Sequence, residues 1–140
     1  MQDPARAQRY RRHDLIDWFS QEQVAATRIA VIGAGAVGNE VVKNLALLGC
    51  GTIDVYDFDT QGRKAPHHLG VLSHYEAVLW ETGDDVILRS TGQVPGTTAK
   101  AAHDTELSVR DYLNEGGKVL VSGKYALFAQ AANGAYFYNP

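Results

Sequence analysis

Apolar residues fall along the chain in short continuous runs that alternate with longer stretches of three-to-four-residue spacing, which predicts strand and helix in turn. From Pro4 to Thr27 the apolar positions Leu15, Ile16, Phe19 and Val24 stand at helical intervals in a polar background, predicting a helix packed on a sheet edge. Arg28 to Ile32 is an apolar run closed by Gly33, the pattern of a parallel strand covered on both faces. After a turn over Gly33–Gly38, Val37, Val41, Val42, Leu45 and Leu48 recur at helical spacing until Gly49 and Gly51 stop them. Thr52 to Asp57 predicts the second strand, so residues 28–57 form one βαβ unit with a right-handed crossover.

Thr60 to Pro66 reads as a loop, and His67 to His74 holds at most one helical turn. Ala77–Glu81 predicts the third strand, followed by a long polar loop from Gly83 to Pro95. From Thr97 or Thr98, the positions Ala102, Thr105, Val109, Tyr112 and Leu113 share one helical face, and Gly116–Gly117 end it. Lys118–Ser122 predicts the fourth strand, Tyr125–Ala132 a last helix, and Tyr136–Tyr138 a final edge strand or stub. The alternation predicts an α/β three-layer sandwich around a parallel four-stranded sheet in the order 2-1-3-4, Rossmann- or flavodoxin-like. It is expected to be a single domain over residues 1–140, with the N-terminal helix and first βαβ unit in 1–57 and the remaining elements in 58–140.

Gly33-Ala34-Gly35-Ala36-Val37-Gly38 is G-x-G-x-x-G set between a predicted strand and a predicted helix, where the pattern has physical meaning. Gly33 permits the tight turn, Gly35 lets backbone approach a phosphate, and Gly38 lets the helix lie close on the strand. The helix start offers free N–H groups and a positive dipole end to an anion. Asp57, closing the second strand, is placed to accept hydrogen bonds from a ribose. The alternative is that the glycines serve packing alone.

Arg9-Tyr10-Arg11-Arg12-His13, the run RIAVIGAGAVGNEVVKNLALLGCG and the segment Asp57-Phe58-Asp59-Thr60 resemble the start of the ubiquitin-activating-type adenylyltransferases, which charge ubiquitin-like and sulfur-carrier proteins. The resemblance covers roughly residues 8–60. It implies ATP phosphates on Gly33, Gly35 and Gly38, the ribose on Asp57, and a phosphate contact from Arg12. After Thr60 the pattern departs: the family continues with an Asn and an Arg, then a Lys, a magnesium-binding Asp and usually a nucleophilic Cys, whereas this chain reads QGRKAPHHLGVL. Without those groups the charge that develops in adenylation has no stabiliser, so no catalytic residue and no enzymatic activity are expected.

From about Val55 onward, APHHLGVLSHYEAVLWETGDD and DTELSVRDYLNEGGKVLVSGKYALFAQAANGAYFYNP resemble a different module, the glutamine-amidotransferase-like accessory domain of actinobacterial zinc-carboxypeptidase-like proteins. That module lies outside the peptidase zinc site, so the resemblance implies no hydrolytic residue. The two resemblances meet near Asp54–Thr60, which leads to the expectation of a splice between equivalent strands of two α/β domains. On that reading the chain is an engineered or recombined chimera without native catalysis, and its only expected activity is residual adenine-nucleotide binding, ATP included, with no required cofactor. The alternatives are a nucleotide-binding module or adenylyltransferase fragment completed by a partner and, more remotely, an accessory interaction domain of a secreted hydrolase.

Composition narrows these classes. The chain has 140 residues, 13 Lys+Arg against 16 Asp+Glu and 45% hydrophobic residues, enough for one core. Its net charge of -3 disfavours duplex nucleic acid as a partner. No apolar run approaches a membrane span, and the polar N-terminus lacks a secretory signal, so a cytoplasmic location is expected. Cys50 is the one cysteine, which excludes an internal disulfide. His67, His68, His74 and His103 read as loop or capping residues rather than metal ligands, and Ser122 lacks the setting of a nucleophile. Glu81, Asp84 and Asp85 gather near the end of the third strand, where a solvated or capping role is favoured over Mg²⁺. Trp80 and Tyr56 read as core or sheet-edge aromatics.

Overall fold

The computed structural model describes residues 8–83, 97–124 and 126. Four strands, β1 (Arg28–Ile32), β2 (Thr52–Tyr56), β3 (Ala77–Glu81) and β4 (Val119–Ser122), form one parallel sheet in the order β2-β1-β3-β4. The helices are α1 (Gln21–Ala26), α2 (Ala36–Leu48) and α3 (Thr97–Asn114). The predicted α/β class, strand order and strand positions are thus borne out, with β2 ending one residue early and β4 starting one late.

Alternation along the strands decides what each face meets. Ala30 and Ile32 of β1 and Val78 and Trp80 of β3 point to one face, where they join Leu72, Val109 and Tyr112 in the core. Val31 points to the opposite face, towards α2. Both faces of β1 are covered, and four of its five residues are buried, as its unbroken apolar run requires. On α3, Thr105, Val109 and Tyr112 are buried as the spacing predicts, but Leu113 is 47% exposed, a correction to its place in the predicted stripe. It follows Tyr112 by about 100° around the helix, beyond the sheet's reach.

The path from β2 to β3 crosses β1 on the α3 face and carries a single 3₁₀ turn, Leu72–His74. Leu72 is fully buried there. The Tyr75 hydroxyl donates to Asp54 Oδ2 of β2 at 2.9 Å, and the Tyr112 hydroxyl of α3 donates to the Tyr75 carbonyl at 2.9 Å. The guanidinium of Arg28 lies 5.4 Å above the Tyr75 ring.

The N-terminal segment departs from the single helix predicted over Pro4–Thr27. Its described part holds helical residues 8–10, a 3₁₀ turn His13–Leu15, and α1. Ile16 and Ser20 are extended, and the Ser20 hydroxyl starts α1 by accepting the Gln23 N–H at 3.2 Å. The His13 ring meets Gln21 Oε1 at 2.6 Å, folding the segment back on itself. Leu15 and Trp18 are 82% and 85% exposed, so no continuous apolar stripe is buried to sustain a longer helix. The Gln21 amide instead donates to the Leu48 carbonyl at 2.9 Å, docking the segment on the carboxyl end of α2.

The predicted Tyr125–Ala132 helix lies outside the described residues except Ala126, as do the Tyr136–Tyr138 strand and the Gly83–Pro95 loop beyond Gly83. No described helix is long and apolar enough to cross a membrane.

Candidate functional site

The parallel register sets the carboxyl ends of the strands side by side. Ile32 pairs with both Tyr56 and Trp80, so the next residues, Gly33, Asp57 and Glu81, stand in a row along one edge of the sheet. Between β1 and β3 the connections run to opposite sides, with α2 leading to β2 on one face and α3 to β4 on the other. A doubly wound sheet opens its ligand crevice at such a point.

The three glycines play different parts. Gly33 has φ 89°, and a Cβ there would overlap the Glu81 carbonyl oxygen. Gly38 is buried, and a Cβ there would overlap the Gly33 carbonyl oxygen, so the helix sits directly on the loop. Gly35, the residue before α2, has an ordinary extended φ of -67°, and a Cβ on it would meet nothing within 4 Å. The space beside Gly35 is open, and no packing contact among the described residues requires a glycine there.

The start of α2 is bare of side-chain partners. Gly35 makes no side-chain cap, and the first turn carries no acidic residue. Ala34, Gly35, Ala36 and Val37 are exposed. Backbone N–H groups at such an end remain available to an anion and add the positive end of the helix dipole.

Asp57 begins a tight turn. Its Oδ1 accepts the Asp59 N–H at 3.0 Å, and its carbonyl accepts the Thr60 hydroxyl at 3.1 Å. The turn is anchored from β2, since the Tyr56 hydroxyl donates to the Lys64 carbonyl at 2.8 Å and its ring meets Phe58 edge-on at 5.4 Å. Burial pushes the Tyr56 phenol above its usual 10.0. Arg63, with φ 59°, closes the turn and pairs with Asp59 at 3.6 Å. The Arg63 charge is thus turned onto Asp59, within the same turn as Asp57.

The structure brings Gly33, Gly35, Gly38 and Asp57 together and does not bring Arg12 to them. Arg12 is exposed and lies between Tyr10, which approaches Gly49, and His13, which bonds Gln21. That is the far end of α2, about 20 Å from its start at ~1.5 Å rise per residue.

The remaining candidates resolve separately. His67 Nδ1 accepts the N–H groups of Leu69 and Gly70, both at 3.2 Å, which is the capping role expected of it. His68 stacks on His67 at 4.7 Å and faces Glu115 and Asp111 of the α3 end at 3.6 and 3.9 Å. Among the described residues no group of three or more His, Cys, Asp or Glu is arranged to hold a metal ion. Cys50 follows α2 and is remote from the glycine loop, and burial raises its thiol above the usual 9.0 against a smaller opposing backbone hydrogen bond. Trp80 is buried in the core, as expected of it.

Residues 8–62 match the ThiF family. The NEDD8-activating enzyme E1 catalytic subunit of Caenorhabditis elegans is 48% identical over 50 residues, 32% of this chain and 12% of that protein. The chain thus spans about an eighth of the length of that curated relative. The ThiF match ends at residue 62, inside the turn that follows β2. Residues 8–62 are a Rossmann start similar to that of ubiquitin-activating-type proteins.

Proposed function

We propose that the chain binds an adenine nucleotide at the carboxyl edge of the sheet, with phosphate on the start of α2 and ribose on Asp57, and that its chemistry stops at binding. The observation that carries this reading is the open space at Gly35. Packing and backbone geometry account for Gly33 and Gly38, whereas at Gly35 no atom of the described residues lies within 4 Å of where a side chain would start, which leaves room for a ligand. The uncapped first turn of α2 supplies donors for an anion, and Asp57 stands one strand away to accept from a hydroxyl. The likeness of residues 8–62 to the ThiF family and to a NEDD8-activating subunit supports an adenine nucleotide over other phosphates and favours a fragment of the ubiquitin-activating type. The distance of Arg12 from the loop, together with a chain after Thr60 that lacks the family's cationic run, supports binding without adenylation.

A nucleotide at ~100 times its dissociation constant adds ~2.7 kcal/mol to the stability of the folded state. A thermal-shift titration with Mg-ATP should therefore raise the melting temperature, Gly35→Trp should abolish the rise by filling the open space, and Asp57→Ala should reduce it. An unchanged rise in both variants places the nucleotide elsewhere. ATP–pyrophosphate exchange should stay at the level of buffer, and measurable exchange overturns the statement that chemistry stops at binding.

A second reading, a recombined chain whose loop is retained for folding, is favoured by one observation. The family match ends at residue 62, while β3 and β4 complete the sheet from sequence beyond it. Under that reading the Mg-ATP titration gives no shift at millimolar concentration.

A further inference from the structure

The α2 face of the sheet holds a cavity of about 110 Å³ beside the glycine loop. Its floor is Val31, Leu79 and Leu120, from three neighbouring strands; Val41 of α2 walls it, and Glu81 and Ser122 edge it. Leu79 and Glu81 are two residues apart on β3, so both side chains rise from this face. Ser122 pairs with Glu81 in the β3–β4 ladder and closes the same edge.

Glu81 Oε1 accepts the Gly83 N–H at 3.1 Å. Its Oε2 is buried and has no hydrogen-bond partner among the described residues. A carboxylate oxygen taken out of water without a donor costs free energy, and such groups in folded proteins call for a specific reason. The other residues lining the cavity are apolar except Ser122, and none of them carries a charge. A group that satisfies Oε2 must bring its own donor and has to tolerate an apolar bed.

Three ligand chemistries meet that demand unequally. A phosphate is repelled by the carboxylate. A divalent cation needs about six oxygen ligands, far more than Glu81 and Ser122 offer. A primary ammonium brings both charge and donor, and an alkyl stem fits the floor. By comparison with a ~150 Å³ cavity that holds benzene, the space takes roughly four or five non-hydrogen atoms.

We propose that this cavity is a subsite for a primary ammonium on a three- or four-carbon stem, the nitrogen donating to Glu81 Oε2 and the stem lying on Val31, Leu79 and Leu120. The site adjoins the glycine loop through Gly38 but is argued from Glu81 and the sheet face, independently of the nucleotide reading.

The test is a titration of the full chain with n-butylammonium chloride at constant ionic strength, followed by backbone amide NMR, with n-butanol as the neutral control. Saturable shifts at Glu81, Gly83 and Leu120 are expected, with n-butanol about tenfold weaker or more. Glu81→Gln, which keeps the shape and removes the charge, should weaken butylammonium by a similar factor. Val41→Phe, which fills the cavity and leaves Glu81 in place, should remove saturation and covers the case in which the Glu81 variant does not fold. Equal binding of butanol, or butylammonium binding unchanged in Val41→Phe, overturns the proposal. A blocked lysine amide then separates the sources of the ammonium: affinity equal to butylammonium admits a polypeptide lysine, and affinity about tenfold lower restricts the subsite to free amines. Because no arm contains nucleotide, its outcome is independent of Mg-ATP binding.

Discussion

At Gly33 a positive φ of 89° and the nearby Glu81 carbonyl act together, so any side chain meets both strain and overlap. Gly33→Ala should cost at least about 2 kcal/mol in chemical denaturation. Gly35→Ala has neither obstacle and should stay within about 1 kcal/mol of the parent, the usual scale of a helix-start change. Equal losses at the two positions would show that the loop is a packing device throughout. The pattern G-x-G-x-x-G is visible in sequence, but the difference between its members is not, because it depends on what the fold places against each one: the Glu81 carbonyl at Gly33 and the Gly33 carbonyl at Gly38. Tyr75 gives a second residue-scale outcome. Burial first, then its hydrogen bond and charge interaction with Asp54, hold its phenol above 10.0, with Arg28 opposing. The unfolded phenol ionises near its ordinary value and the folded one later. This contribution is therefore present below about pH 10 and is lost as pH rises through the folded value. Urea melts between pH 9 and 11 should show stability falling, and Tyr75→Phe should flatten the fall; parallel curves would remove Tyr75 as a cause.

At the scale of elements, the strands were the most legible because each is a short, largely apolar run ended by glycine or an acid, and in β1 burial on both faces leaves little freedom of register. The α3 helix was legible for the same reason in another period, since Thr105, Val109 and Tyr112 repeat at the spacing that meets the sheet. Tyr112→Phe would keep its ring in the core and strip the Tyr75 carbonyl of its 2.9 Å donor. A loss of about 1–2 kcal/mol is expected, read by the same denaturant melts. No loss would mean that solvent replaces the bond. The N-terminal segment was misread because helical spacing appears whether or not a surface exists to bury it. Leu15 and Ile16 have the right interval but are exposed, and the hydrogen bonds of Ser20, His13 and Gln21 set the path instead. The position of Arg12 follows from that path.

Across the whole molecule, the order β2-β1-β3-β4 was legible because right-handed crossovers leave few alternatives for a β-α-β chain with one long return. The edge row of Gly33, Asp57 and Glu81 follows from the same topology. The orphaned oxygen of Glu81 was not legible, since it depends on how α2, β3 and β4 enclose a space that none of them forms alone. The stretch that matches the ThiF family supplies β1 and β2, the later stretch supplies β3 and β4, and the core draws Ala30 and Ile32 from the first and Leu72, Val78, Trp80, Val109 and Tyr112 from the second. Neither stretch can close its own interior. Expressed as two polypeptides divided at Gly62, each should be unstructured by circular dichroism, and mixing them should restore the spectrum. If they recombine, the two pieces would serve as a split reporter whose signal depends on the β1–β3 ladder and the core contacts across it.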